Sequence, residues 1–448
     1  MSGASLDAPI GAASAQQIGV SKVKLRSIVG GCIGNLIEWY DFLVYSIFSV
    51  YFASSFFPDG NQTAQLLNAT AVAAVGYLAR PFGSWLMGRY ADRKGRRAAL
   101  ALSVSLMCCG SLLIAVMPTY AKIGVLAPVL LVAARLLQGL SMGGEYGTSA
   151  TYLSEMAPRE CRGFFVGFLQ VSVVSGQLAA LGLLLLLQHV VLFPGQMEAW
   201  GWRIPFVIGG IFSLFALYLR RGIAETDAFR ETRTMEPSRG SVAALLAHRR
   251  SLLLAVGITI GGTVSFYTYT VYMQKFMVNT VGMTKEAASL TAAAALACYL
   301  PLQPLFGFVS DRIGRRPVMI FFGVAAATLS VPLLTAMSRA SSAEKAFALN
   351  FAALFILSGF TSIHMLVKSE LFPAEVRALG VGLPYAITTA ILGGTTEWLA
   401  LQFKAIGQEE WFYWYVAGAA LISLVVYLAM PETRRTSLLN CWPGPAGS

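Results

Sequence analysis

Gly88-Arg-Tyr-Ala-Asp92-Arg93-Lys-Gly95-Arg96-Arg97 and Gly307-Phe-Val-Ser-Asp311-Arg312-Ile-Gly314-Arg315-Arg316 are one pattern written twice, 219 residues apart. Two further matches follow in the same order. Glu155-Met-Ala-Pro158-Arg-Glu160-Cys-Arg162-Gly returns as Glu370-Leu-Phe-Pro373-Ala-Glu375-Val-Arg377-Ala, and Glu225-Thr226 returns as Glu432-Thr433, at offsets of 215 and 207 residues. A repeated order of this kind marks a duplicated structural unit. Around the motifs the chain is apolar: Leu252 to Gln274 and Phe412 to Met430 carry no charge at all. About 20 such residues, at a rise of about 1.5 Å each, cross about 30 Å of hydrocarbon. They are apolar on every side rather than along one stripe, which excludes a soluble amphipathic bundle, and they lack the alternation of membrane strands.

The expected fold is an all-α membrane protein of twelve transmembrane helices in two pseudo-symmetric six-helix halves. The spans are expected at 27–57, 64–88, 98–117, 125–155, 162–187, 202–219, 251–281, 287–309, 317–337, 346–369, 377–402 and 411–430. This divides the chain into an N-terminal tail (1–26), an N-terminal half (27–219), a linker (220–250), a C-terminal half (251–430) and a tail (431–448).

Charged residues make up 12% of the chain, about half the share in a soluble domain. The net charge of +11 invites a nucleic-acid reading, but placement argues against it. On this topology 24 of the 33 Lys and Arg residues fall in loops on the side of the termini, six fall opposite, and Arg80, Arg135 and Lys275 lie within spans. By the positive-inside rule both termini are cytoplasmic. Cys32, Cys108, Cys109, Cys161, Cys298 and Cys441 form no CxxC pair, so no metal site is expected. There is no phosphate-binding GxxxxGK[ST] loop and no HExxH. The expected protein is a secondary transporter driven by a gradient, not an enzyme, with no cofactor.

Ionisable groups inside a membrane are costly and point to function. Glu38 and Asp41 lie near the middle of the first helix, three residues apart and on one face. Two carboxylates in a partly dry cavity cannot both ionise cheaply, so either is a candidate proton carrier; the bland alternative is a permanent pair with arginine. Arg80 is near mid-membrane, where a guanidinium grips a carboxylate through two hydrogen bonds or pairs with Glu38 or Asp41. Arg135 and Gln138 on the fourth helix are further substrate candidates, and Glu145 below them is a possible relay or ion-pair partner. Lys275 follows Tyr272 at a spacing of three; both suit an oxygen-rich anion, although Lys275 and Glu397 are close enough to the outer end for Lys275 to snorkel. His364 is read as structural. In the repeated motif, Gly88 and Gly95 (Gly314 in the second copy) allow a tight turn in a short loop. Asp92 and Asp311 can pair with Arg93, Arg96, Arg312 and Arg315, or face the N-terminus of a helix in the other half, which makes the loop a gate.

The doubled GxxxDRxGRR pattern, at these two positions, resembles the major facilitator superfamily, whose halves rock about a central cavity. Asn35-Leu-Ile-Glu38-Trp-Tyr-Asp41-Phe, Arg80-Pro-Phe-Gly83, Arg135-Leu-Leu-Gln138-Gly139, Gly143-Gly144-Glu145 and Gly201-Trp-Arg203-Ile-Pro-Phe resemble its metabolite:proton symporters. A likeness to dicarboxylate carriers of that family runs through Gly144 to Tyr152, Tyr272 to Thr280 and Phe372 to Gly382, within a resemblance spanning about Arg26 to Met430. It implies proton-coupled uptake of α-ketoglutarate, a five-carbon dicarboxylate, across the bacterial inner membrane. Citrate, shikimate, and proline or betaine are the alternative substrates. The implied partners are a small organic acid, protons and membrane lipid, with no nucleic acid, for a monomer.

Overall fold

The structure, a computed structural model, describes residues 34–58, 60–94, 96–143, 150–151, 153–155, 157–193, 195–221, 242–373 and 376–440, without the side chains of 88–101, 216–221, 242–244 and 440. Helix α1 runs Gly34–Phe56. Helix α2 is formed by Gln62–Leu78 and Arg80–Lys94, which meet at Ala79. Then come α3 (Arg96–Val116), α4 (Leu126–Met142), α5 (Arg159–Val191) and α6 (Ile204–Arg221). The C-terminal half holds α7 (Arg249–Asn279), α8 (Lys285–Ile313), α9 (Arg315–Ser338), α10 (Ala343–Leu371), α11 (Arg377–Ala405) and α12 (Glu409–Ala429). Eight of these are long and apolar enough to cross a membrane, and α3, α4 and α6 contain shorter apolar stretches. Most of the expected linker lies outside the described residues; its end forms a short helix, Val242–Ala247.

Local chemistry sets several helix starts. The Asn61, Thr284 and Ser342 side chains accept from the backbone N–H three residues on, satisfying donors that the first turns of α2, α8 and α10 leave open. The repeated motif proves more helical than a loop: Gly307 to Ile313 continues α8, and Gly314 alone breaks it with φ +105° before α9 begins. Glycine at 314 takes a backbone angle that side chains rarely allow.

Between the halves, α2 packs along α11 and α5 along α8. The α5–α8 contact needs Gly307, because a Cβ there would collide with the Gly163 carbonyl. Next to it the Asp311 carboxylate accepts from the Gly163 and Phe164 N–H groups at 2.8 and 2.9 Å, across the halves, at the N-terminus of α5. Asp311 also pairs with Arg315 at 2.7 Å. Glu155 and Arg377 form a second bridge between the halves at 2.6 Å. The repeated motifs of the C-terminal half thus converge at one end. Glu432 accepts from the Arg315 and Arg316 N–H groups at the start of α9, and Thr433 donates to Glu370 at 2.6 Å. This is the motif end. For the first copy, Gly95 and the side chains of Asp92, Arg93 and Arg96 lie outside the described residues.

At the far end Thr63 donates to Asn279, and Lys285 pairs with Glu198 at 3.1 Å. The halves therefore touch at both ends. Helix α1 runs through the middle, and 89% of its most apolar window is buried.

Candidate functional site

The centre of the molecule is built around one ring. Phe42 on α1 is buried, with the Arg80 guanidinium 4.2 Å and the Arg135 guanidinium 4.3 Å from its centroid. Tyr77 lies 4.4 Å from Arg80, and Tyr45 lies 4.4 Å from Arg135. Each such contact returns about 0.5–2 kcal/mol, well short of the several kcal/mol that burying a charge costs. Arg80 also donates to Met142 Sδ, at 3.1 Å, and the Nε atoms of both arginines are buried without a hydrogen-bond partner among the described residues. Neither arginine has a carboxylate partner among the described residues. Among the described residues these two positive charges are therefore only partly compensated.

Arg135 is connected to Asp41 by a hydrogen-bond chain. Its Nη1 donates to Gln138 Oε1 at 2.7 Å, Gln138 Nε2 donates to Ser111 Oγ at 2.8 Å, and Ser111 donates to both Asp41 oxygens at 2.6 Å. Asp41 is 1% exposed and pairs with no arginine among the described residues, so the permanent ion pair entertained from sequence is absent there. Glu38 is buried on the same helix. Glu145, the expected relay, lies outside the described residues.

Lys275 does not snorkel. It is 1% exposed and pairs with Glu397 at 2.6 Å, while also donating to Ser46 at 2.7 Å; Ser46 donates to Glu397 in turn. The group ties α7 and α11 of one half to α1 of the other. Tyr272 departs from its expected place beside Lys275: its ring packs 5.8 Å from Phe412 and 6.0 Å from Phe276. Residues three apart on a helix diverge by about 60°, enough to send Lys275 toward α11 and Tyr272 toward α12.

The tyrosine that reaches the centre is Tyr267, whose ring is 5.2 Å from Tyr77. It opens a wider π-helical turn, Tyr267–Tyr272, and α11 carries another at Thr389–Gly393. Such turns insert a residue and shift the phase of every side chain beyond them. Between the halves lies a cavity of about 20 Å³, lined by Trp39, Gln170, Tyr267, His364 and Tyr385 among others. It has room for about one water, so a metabolite enters only when the halves part. His364, set aside as structural from sequence, is a lining residue. Lys368, at the edge of the expected span 346–369 and not singled out from sequence, is 0% exposed on α10. The signal that could have found it is its spacing of four from His364, which puts the two on one face.

The sugar (and other) transporter family matches residues 28–229 and 220–441. This chain belongs to that family. Among relatives of this transporter, the α-ketoglutarate permease of Escherichia coli K12 is 49% identical over 407 residues, 91% of this chain and 94% of that one. A citrate-proton symporter of Klebsiella pneumoniae is 34% identical over 378 residues, 83% of this chain and 84% of that one. A solved major facilitator superfamily proton:xylose symporter superimposes with a TM-score of 0.73 at 19% identity, covering 94% of this chain and 98% of that one. The transporter therefore has the twelve-helix major facilitator fold.

Proposed function

We propose that the chain is a proton-coupled symporter that imports α-ketoglutarate across the bacterial inner membrane by alternating access. The observation that carries this reading is the pair of buried guanidiniums, Arg80 and Arg135, held against Phe42 without a carboxylate partner among the described residues. A dicarboxylate supplies the missing negative charge, and a planar guanidinium suits a carboxylate better than an ammonium does. The identity to the α-ketoglutarate permease supports the choice of acid.

Asp41 is the proton carrier in this reading, because it is joined to Arg135 through Ser111 and Gln138. Charge balance supplies the reason for a proton. Each uncompensated charge entering against a negative interior costs about 2.3 kcal/mol per 100 mV, and two protons make dianion entry electroneutral. Lys275 is engaged by Glu397 of its own half and by Ser46 of the other; parting of the halves removes the Ser46 contact, and a substrate then competes with Glu397 for the amine. In this reading Tyr272, packed against Phe412 and Phe276, is left out of the site. The basic bias supports a cytoplasmic side for the motif end, both termini and the linker 220–250. There Asp311 and Arg315 act as gate residues, together with Arg312, Gly314 and their first-half counterparts Gly88, Asp92, Arg93, Gly95 and Arg96. The monomer, in lipid, is the working unit.

The test is uptake of labelled α-ketoglutarate into proteoliposomes, with and without an inward proton gradient. Concentrative uptake that collapses with a protonophore is expected. Arg80→Ala is expected to abolish binding as well as uptake. A folded preparation that takes up no α-ketoglutarate under either condition would overturn the substrate assignment.

A further inference from the structure

The two arginines and their aromatic frame all belong to the N-terminal half, yet an alternating-access site must be held by both halves. In the C-terminal half, next to residues that line the central cavity, lies a second cationic group that nothing above has used. Lys368 is 0% exposed on α10, in the core of the C-terminal half. An amine at that depth needs a strong acceptor. Lys368 has a weak one: its Nζ donates to Thr259 Oγ1 at 3.4 Å and stands 4.6 Å over the Tyr385 ring. No carboxylate lies within ion-pair distance among the described residues, unlike Lys275, which has Glu397 at 2.6 Å. One turn earlier His364 is 4% exposed, with its ring stacked 4.4 Å from Phe360 and its Nδ1 buried without a partner. His364 and Tyr385 both line the cavity. Trp39 lines it from the other side, and Arg80 stands 5.7 Å from the Trp39 ring.

We infer that Lys368, with His364 beside it, is a second carboxylate subsite, and that it takes the far carboxylate of the dicarboxylate whose 2-oxo acid end is held by Arg80 and Arg135. This rests on the proposed function above. The arrangement assigns the two ends of one substrate to the two halves. A dicarboxylate bridges them as they close, whereas a monocarboxylate of the same length engages only the arginine side. The subsite is thus a device for selecting diacids. It also removes the unmet demand of the buried amine, because a carboxylate is a stronger acceptor than the hydroxyl it meets here.

The test compares binding of α-ketoglutarate and 2-oxopentanoate, which has the same chain without the far carboxylate, to the full-length protein in detergent by calorimetry. Wild type is expected to prefer α-ketoglutarate by at least about tenfold, in keeping with the strength of a charged hydrogen bond. Lys368→Met is expected to erase that preference by weakening α-ketoglutarate alone, and Lys368→Arg to restore most of it. Arg80→Met is expected to weaken both ligands. Should Lys368→Met fold poorly, the wild-type preference and the Lys368→Arg variant still decide. Wild type binding both acids equally, or Lys368→Met keeping its preference, would overturn the subsite while leaving the functional reading intact. A folded wild type that binds no α-ketoglutarate would overturn the functional reading, and the subsite with it.

Discussion

Replacing Asp311 with asparagine tests whether the motif end is a latch between halves. In the closed state its carboxylate accepts from two backbone N–H groups of the opposite half at 2.8 and 2.9 Å, and pairs with Arg315 at 2.7 Å. Asparagine keeps one acceptor and turns its amide toward the other N–H. The loss is about one charge-assisted hydrogen bond, about 1.5–3 kcal/mol, plus the attraction of a charge to a helix N-terminus, about 0.3–1 kcal/mol. A loss of about 3 kcal/mol shifts the equilibrium between closed and open motif ends on the order of a hundredfold. The assay is pulsed EPR between spin labels at Glu160 and Ile313, exposed residues on the two halves near the latch, in a background free of other cysteines. The long-distance population should grow in Asp311→Asn. Glu432→Gln is the control: it weakens a carboxylate cap on Arg315 and Arg316 within one half, so it should lower thermal stability without altering that distance. An unchanged distance distribution in Asp311→Asn, or an equal shift in Glu432→Gln, would refute the latch.

Asp41→Asn should retain exchange of internal for external substrate and lose uphill uptake, checked by counterflow and by gradient-driven accumulation in proteoliposomes. Lys275→Met leaves Glu397 buried without its cation and should cost about 3–5 kcal/mol of stability, while Lys275→Met/Glu397→Gln should recover most of it; thermal unfolding in detergent reads both. Gly307→Ala places a methyl against the Gly163 carbonyl and should hold the motif end apart, seen as increased labelling of thiols placed along α5.

The twelve helices could be read from the sequence because hydrocarbon thickness leaves few ways to bury an uncharged run of about 20 residues. Arg80 and Arg135 were visible for the same reason: a guanidinium in such a run has no cheap explanation. Lys368 was hidden by its neighbours. The expected span 346–369 stops one residue beyond it and Glu370 follows, so it reads as a polar helix end, and only the fold shows α10 continuing to Leu371 with Lys368 in the core. The exchange of Tyr272 for Tyr267 was hidden differently. Which tyrosine faces the centre depends on helical phase, and the π-helical turn at Tyr267–Tyr272 resets that phase without a sequence mark such as proline. The motif was found but taken for a loop, because two glycines and a run of charges suggest a turn; a single residue, Gly314, makes it.

The bonds from Arg135 to Asp41 have a direction. Arginine only donates, so Gln138 must turn its oxygen toward Arg135 and its nitrogen toward Ser111. Ser111 has one hydrogen, and it points at the carboxylate. Every arrow therefore runs toward Asp41, and the orientation is fixed from both ends, by a group that cannot accept and a group that cannot donate. A proton arriving on Asp41 removes the second constraint. The serine hydrogen then competes with the new carboxyl hydrogen, and one way to settle the conflict is for the Gln138 amide to rotate. Rotation turns an N–H₂ toward Arg135, which loses its 2.7 Å acceptor and keeps the longer bond to the Phe42 carbonyl, at 3.4 Å. On the proposed reading, with Asp41 as the proton carrier and Arg135 as a substrate anchor, the chain would convert the arrival of a proton at one end into a vacancy for an anion at the other.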